Sequence, residues 1–261
     1  MPDLPETKQI HSDMLLLLEK FDAICRENNI MYSLHGGTLL GCIRERGFIP
    51  WDDDIDVSMR REEYEKLSEV FSKTLLDSEL RLDTQTNRFP QLWLKLPGRE
   101  PVWLDIFIWD YISERKAVQK LKIAGLCFFL SFLKTGKTMD LSSKSGKYKG
   151  WKHIVIWLGY QLGRLFPMEK KLRWADSFSQ KLCGKKQFIN RSNDLYAGMK
   201  LILPDSVMSA YESRPFETLT LLVSSSYDAI LTSSYGADYM TPKRMTDAES
   251  YTHSLARDTL S

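Results

Sequence analysis

At 261 residues the chain fits one large domain, or one domain with an elaborated insertion, and is long enough to bury a substantial core. Hydrophobic content of 43% and charged content of 27% are ordinary for a globular protein, and a net charge of +2 gives no indication of a nucleic-acid partner. The charge is uneven, however: residues 115–190 hold 17 Lys/Arg against 3 Asp/Glu, a local +14 in a chain of +2, so the remainder carries −12. Cys25, Cys42, Cys127 and Cys183 are scattered without a CxxC or paired histidines, which reads as free thiols in a reducing compartment rather than disulfides or a zinc site. The first residues lack a charged-then-apolar signal pattern, and no apolar run reaches the ~18–20 residues of a spanning helix. The expectation is a cytoplasmic protein, at most peripheral on the cytoplasmic face of a membrane.

In chain order, residues 1–12 read as a loose lead-in. A helix is predicted over 13–27, capped by Ser12 or Asp13, with Leu15, Leu18 and Cys25 on one side and Leu17, Phe21 and Ile24 on the other; Asn28-Asn29 is its stop. Residues 30–34 form a short apolar run, followed by His35-Gly36-Gly37-Thr38 and the helix-like LLGCIR. A strand, two glycines and a helix start place backbone N–H groups where a phosphate can dock. Alone, the glycine pair reads equally well as a tight turn. The next feature strengthens it. Ile55, Val57 and Met59 alternate with Asp54, Asp56 and Ser58, so in a strand Asp54 and Asp56 project together while their apolar neighbours enter the core. Asp52 and Asp53 lie just before. Clustered carboxylates repel unless something positive sits among them, and a divalent cation, Mg²⁺ or Mn²⁺, suits such a set. A solvated acidic turn is the alternative; Trp51 and the apolar alternation argue for partial burial, which makes unpaired carboxylates costly.

A second helix is predicted over 60–76, with Arg60 and Arg61 on a solvated surface or paired with the carboxylates just before them. Residues 81–83 and 90–96 read as short strands, with Lys95 an isolated base in an apolar setting whose stem is buried. Residues 101–110, PVWLDIFIWD, read as a strong strand; Asp105 is the acid inside it and needs a partner, which a neighbouring strand carrying Asp54 and Asp56 supplies through a shared metal. Asp110 caps or terminates the element. From 121 to 134 the chain reads as a strongly apolar helix, then a polar Gly/Ser/Lys-rich link over 135–150, a second apolar stretch over 151–166 and a basic amphipathic helix over 170–186 broken at Gly184. This segment either covers the sheet as a helical subdomain or presents a basic, aromatic-edged surface to an anionic membrane. Tyr235-Gly236-Ala237-Asp238-Tyr239 suggests a tight turn at Gly236, and the tail after Pro242 is polar.

The order Gly-Gly, helix, Asp54-Ile55-Asp56-Val57 resembles the signature of the nucleotidyltransferase fold. The longer string GTLLGCIRERGFIPWDDDIDVSMRREEYEKL resembles the LicD family of phosphocholine transferases, which is similar to the fukutin-type phosphosugar transferases. The turn at 235–242 is similar to the closing motif of LicD-like chains, although 223–228, VSSSYD, stands where a proline-containing link is expected. The resemblance implies an α/β (α+β) fold: a nucleotidyltransferase-like mixed sheet with flanking helices and a basic helical insertion. The corresponding division is a catalytic core over 1–114, the insertion over 115–190 and a segment over 191–261 that completes the catalytic domain.

The resemblance also implies roles. Asp54 and Asp56 hold one or two Mg²⁺ ions, and Asp105 completes the metal site or takes the proton from the attacking hydroxyl. Gly36, Gly37 and Thr38 contact phosphate oxygens. Arg44 meets a phosphate or pairs with the acids, Lys95 reaches a substrate phosphate, and Asp238 and Tyr239 line the donor pocket or lock the turn. The implied reaction moves a phospho-alcohol, phosphocholine foremost, from a CDP-alcohol donor to a sugar hydroxyl of a glycan or lipid-linked glycan acceptor such as teichoic acid or lipopolysaccharide, releasing CMP. A nucleotidyltransferase releasing pyrophosphate from an NTP and a non-catalytic glycan-assembly scaffold are the alternatives. An aromatic choline cage has Trp51, Trp93, Trp103 and Tyr239 as candidates, among which the sequence does not choose.

Overall fold

The computed structural model describes residues 5–73, 79–134 and 151–242; the polar link over 135–150 and the tail beyond Pro242 lie outside them. The chain opens with α1 (Pro5–Glu27), β1 (Ser33–Leu34), α2 (Gly36–Arg44), β2 (Asp56–Arg60) and α3 (Arg61–Lys73). It continues through β3 (Leu80–Asp83), β4 (Gln91–Leu94) and the long β5 (Val102–Ile112), then α4 (Lys116–Phe132), α5 (Trp151–Gly163) and α6 (Met168–Ser179). It closes with β6 (Phe188–Arg191), α7 (Tyr196–Met199), β7 (Ile202–Pro204), β8 (Tyr211–Phe216), β9 (Leu219–Ser224) and α8 (Tyr227–Tyr235).

The main sheet has seven strands and is mixed: β2 runs parallel to β5, and the other pairings are antiparallel. β5 organises it. β5 pairs with β2 through Asp105–Trp109, with β4 through Val102–Asp105 and with β6 through Trp109–Ile112. Where β4 has ended and β6 has not begun, Asn193 stands in for a strand: its Oδ1 accepts the Ile108 N–H at 2.9 Å and its Nδ2 donates to the Ile106 carbonyl at 2.9 Å. A buried strand edge is thereby satisfied by one amide side chain. The core gathers Leu17, Leu18 and Phe21 of α1 with Ile55, Val57 and Met59 and with Leu104, Ile106 and Ile108 of β5, all at 2% exposure or less. The alternation read at 54–59 therefore does direct its apolar members inward. Asp56 and Ser58 on the opposite face are buried too.

Several expectations are corrected. α1 begins at Pro5, not at residue 13, so the supposed lead-in is helical from a proline at its first position; Asp13 does not cap it but pairs with Arg99. The stop at Asn28-Asn29 holds, with Asn29 at φ 52°. Arg60 and Arg61 are not a solvated face. Arg60 is the last residue of β2 and pairs with Asp205 at 2.6 Å. Arg61 is 9% exposed, and its Nε and Nη2 each donate to Asp110 at 2.8 Å. Asp110, expected to end a strand, lies inside β5 at 2% exposure. Burial alone would raise its pKa, but the Arg61 guanidinium and the Ser192 hydroxyl hold it below the usual carboxylate range.

The helices over 116–179 pack on one another closely. A Cβ on Gly163 of α5 would lie 2.1 Å from the Phe132 carbonyl oxygen, and one on Gly125 of α4 would lie 2.2 Å from the Phe178 ring. The basic helix expected over 170–186 is shorter, ending at Ser179, and positive φ at Leu182, Gly184 and Lys186 turns the chain back to β6. Among the described residues no helix is long and apolar enough to cross a membrane.

Candidate active site

The site is built where β2, β5 and the start of α2 converge. Asp56 and Asp105 are register partners on neighbouring parallel strands, which places their Cα atoms about 5 Å apart. The ladder runs on upstream of Asp56, because the Asp105 N–H donates to the Ile55 carbonyl at 2.8 Å. Asp56 is held on both sides of its Cα: its N–H donates to Thr38 Oγ1 at 3.0 Å and its carbonyl accepts the His35 N–H at 2.9 Å. Asp54 lies two residues before β2, and Asp52 and Asp53 lie in the loop leading to it. α1 secures that loop, since His11 Nε2 is 2.7 Å from the Asp52 carbonyl and its ring stacks on Phe48 with centroids 4.5 Å apart.

The glycine corner stands directly against these acids. A Cβ on Gly36 would lie 2.5 Å from Asp56 Oδ2, and one on Gly37 would lie 2.5 Å from Asp52 Oδ2. Gly36 has φ +55°, a region that L side chains rarely adopt. The two glycines are thus required by the carboxylates, which settle at the N-terminus of α2 where the helix dipole favours negative charge. Thr38 is 1% exposed and its hydroxyl braces β2.

Electrostatically the cluster is under tension. Asp56 is 5% exposed, and burial first, then the charges of Asp54, Asp105 and Asp52, push its pKa well above the ordinary carboxylate range. Asp105 Oδ1 accepts from Gln91 Nε2 at 2.7 Å, Gln91 being its register partner on β4. The Arg88 guanidinium, packed 4.4 Å from the Phe89 centroid, feels both Asp105 and Asp194; burial lowers its pKa to about 10. Among the described residues no three His, Cys, Asp or Glu side chains stand together closely enough to hold a metal ion as they are. The donor chemistry nevertheless suits a hard divalent cation: all oxygen, one carboxylate fully buried, and each acid disfavouring the ionisation of the next.

Residues 29–129 match the family model described as LicD/FKTN/FKRP, nucleotidyltransferase domain. That stretch is similar to the LicD family. The chain is 40% identical over 121 residues to the lipopolysaccharide cholinephosphotransferase LicD of Haemophilus influenzae, covering 41% of this chain and 46% of that protein. It is 24% identical over 180 residues to an uncharacterised protein of Rickettsia prowazekii, covering 60% of this chain and 63% of that one. In both cases the match spans less than two thirds of the relative's own length.

The remaining expectations, inside and outside the matched residues, sort by geometry. Arg44 lies in the last turn of α2 and pairs with Glu45 at 2.6 Å. Lys95 lies past the end of β4, where Leu94 is already opposite Val102, and its side chain is exposed. Tyr239 is 8% exposed and its hydroxyl donates to Asp228 at 2.7 Å; burial and that carboxylate push its pKa up to about 12. Tyr239 therefore locks the turn after Gly236 (φ +93°), while Asp238 is exposed. Of the cage candidates, Trp93 and Trp103 pack against each other across β4 and β5 with tilted rings 4.8 Å apart, whereas Trp51, beside Asp52, is 68% exposed.

Four neighbours of the site were missed by the sequence reading: Arg88, Gln91, Arg191 and Asp194. Arg191 pairs with Asp194 at 2.9 Å and contacts His35 Nε2. Burial and the Arg191 charge push the His35 pKa well below its usual value, so His35 is neutral and accepts from Arg191. Gln91 was findable in principle by pairing QLWL against PVWLD; Arg191 and Asp194 come from across a long excursion and had no local signal. Tyr235 of α8, although 41% exposed overall, has its phenol pKa raised, first by lost hydration and then by the charges of Asp56 and Asp52.

Proposed function

We propose that the domain transfers a phospho-alcohol, phosphocholine foremost, from a CDP-alcohol donor to a sugar hydroxyl of a cell-surface glycan precursor, of the lipopolysaccharide or teichoic-acid kind, with release of CMP. The observation that carries this is the buried Asp56 opposite Asp105 against the glycine corner. Keeping a carboxylate buried among three others costs folding free energy, which is reasonable where the site must receive a cation and a diphosphate. Asp56, Asp105 and Asp54 would hold one or two Mg²⁺ or Mn²⁺ ions, whose bound charge would neutralise the diphosphate and stabilise the departing CMP. The acceptor oxygen forms a new bond to the phosphorus that carries choline, and the bond from that phosphorus to the CMP oxygen breaks. A carboxylate of the Asp56–Asp105 pair takes the hydroxyl proton. Arg88 offers a guanidinium to phosphate oxygens, and Trp51 an exposed ring face to a quaternary ammonium.

Incubating the protein with CDP-choline, Mg²⁺ and a glycan acceptor should release CMP and label the acceptor with choline. Pyrophosphate released from an NTP instead would make it a nucleotidyltransferase, and binding of neither donor would favour a scaffold.

The core and the helical segment over 115–190 divide this work in the proposal. The segment's surface exposes Trp157, Leu158, Leu162, Leu165, Phe166 and Trp174 beside Arg164, Lys170 and Arg173, which fits peripheral attachment to an anionic bilayer. In flotation, the protein should rise with vesicles containing about 30% anionic lipid and stay behind with neutral ones; equal recovery from both would remove the attachment.

A further inference from the structure

A cavity of about 370 Å³ lies between the sheet and the helical segment, and of its lining only Arg88 enters the site chemistry described above. Its two walls differ. One is apolar, supplied by Leu126, Phe129, Leu130 and Leu133 from α4 and its end and by Leu172 from α6. The other is polar, supplied by Asn87, Arg88 and Asn193 at the sheet. Three arginines, Arg61, Arg88 and Arg173, line it against two carboxylates, Glu169 and Asp176. Two of the three arginines are engaged: Arg61 by Asp110 and Asp176, and Arg173 by Glu169 at 3.8 Å. Arg88 differs, because it lines the cavity while its guanidinium also feels Asp105 and Asp194. Its charge is thus shared between the cavity wall and the field of the carboxylates.

A cavity of this size and mixed lining is the kind that binds small organic ligands, with apolar walls for area and a few polar groups for orientation. Water alone would be poorly served by the leucine and phenylalanine wall. A free sugar would leave that wall unused, and a plain hydrocarbon would leave the Arg88 guanidinium without a partner of opposite charge from the ligand, which is costly. A molecule with an apolar chain and an anionic head satisfies both walls.

We propose that this cavity binds the acceptor, and that the acceptor is an anionic amphiphile: a phosphate-bearing molecule whose apolar chain lies along Leu126, Leu130 and Leu172 and whose head meets Arg88 beside Asp105. The word acceptor rests on the transferase reading; the binding of such a molecule does not.

The probe is dodecyl phosphate below its critical micelle concentration, titrated calorimetrically into the full chain. Saturable binding of one molecule per chain is expected. Arg88→Gln should weaken it about tenfold, as loss of one charge-assisted hydrogen bond implies, and Leu130→Trp, which fills the apolar end, should weaken it at least as much. Dodecyl maltoside, with the same chain and a neutral head, should bind wild type more weakly and be indifferent to Arg88→Gln. Thermal melts establish that each variant is folded, and Arg88→Gln, a half-buried edge position, keeps the test available if Leu130→Trp does not fold. Non-saturable uptake, or binding unchanged in both variants, overturns the proposal and assigns the effect to the exposed apolar surface. Binding that behaves as expected in a protein that releases no CMP from CDP-choline overturns the transferase reading and leaves the cavity standing.

Discussion

Asp56→Asn is expected to lower CMP release from CDP-choline by about a thousandfold or more, as loss of a central charged group in a site that stabilises transferring phosphoryl charge usually does. The same substitution should leave the melting temperature unchanged or raise it. Asp56 is buried, crowded by Asp54, Asp105 and Asp52, and its charged form is the disfavoured one, so a neutral isostere relieves repulsion without altering shape. Activity lost while stability is kept is the pattern of a residue retained for function. A variant that retained activity would remove Asp56 from the chemistry; one that unfolded would give it a structural role. Gly36→Ala offers the complementary case, in which the added Cβ meets Asp56 Oδ2 at 2.5 Å in a backbone region hostile to side chains, and both activity and stability should fall.

The second large effect concerns the buried ion pair that joins the two parts of the chain. Arg61 of α3 reaches Asp110 of β5 with two nitrogens, Asp176 of α6 at 2.7 Å and Ser179 at 3.0 Å. Ser192, just after β6, also donates to Asp110. Arg61→Met leaves Asp110 buried and unpaired, and should cost about 3–5 kcal/mol in urea unfolding, a large fraction of a typical domain's stability. Adding Asp110→Leu should recover most of that, because the loss comes from the stranded charge. The pH dependence follows from the depressed pKa of Asp110. Its contribution is present above the unfolded carboxylate value of about 3.9 and is lost as pH falls through the lower folded value. The double variant should therefore lose stability less steeply below about pH 4 than wild type. An Arg61→Met protein as stable as wild type would show that Asp110 is accommodated without its guanidinium partner and would overturn this reading of the pair.

How much of this was legible before the structure depends on whether a signal was local. The alternation at 54–59, the Asp in the middle of PVWLDIFIWD and the paired glycines each carry their meaning within a few residues. β2, β5 and the α2 start indeed lie side by side, with Asp56 and Asp105 in register. The reason for the glycines was not legible: their hydrogens make room for Asp56 and Asp52, a contact that no spacing reveals. Arg60 and Arg61 looked solvated because a charged i,i+4 pattern says nothing about acids 49 and 145 residues further along, where Arg61 meets Asp110 and Arg60 meets the Asp205 carbonyl. Lys95 drew attention as a base near the third acidic strand. The base whose charge reaches Asp105 is Arg88, before the other end of β4, which only the antiparallel register decides.

The central claim is that Asp56 and Asp105 together form the seat for a divalent cation and a CDP-alcohol. Titrating Mn²⁺ into the protein with CDP-choline present, and following free Mn²⁺ by electron paramagnetic resonance, tests it most directly. Wild type should take up one or two ions per chain, with affinity strengthened by the nucleotide, and Asp105→Asn should lose that uptake while melting as wild type does. Uptake of equal strength in Asp105→Asn, or none in wild type at millimolar Mn²⁺ with the nucleotide present, would contradict it.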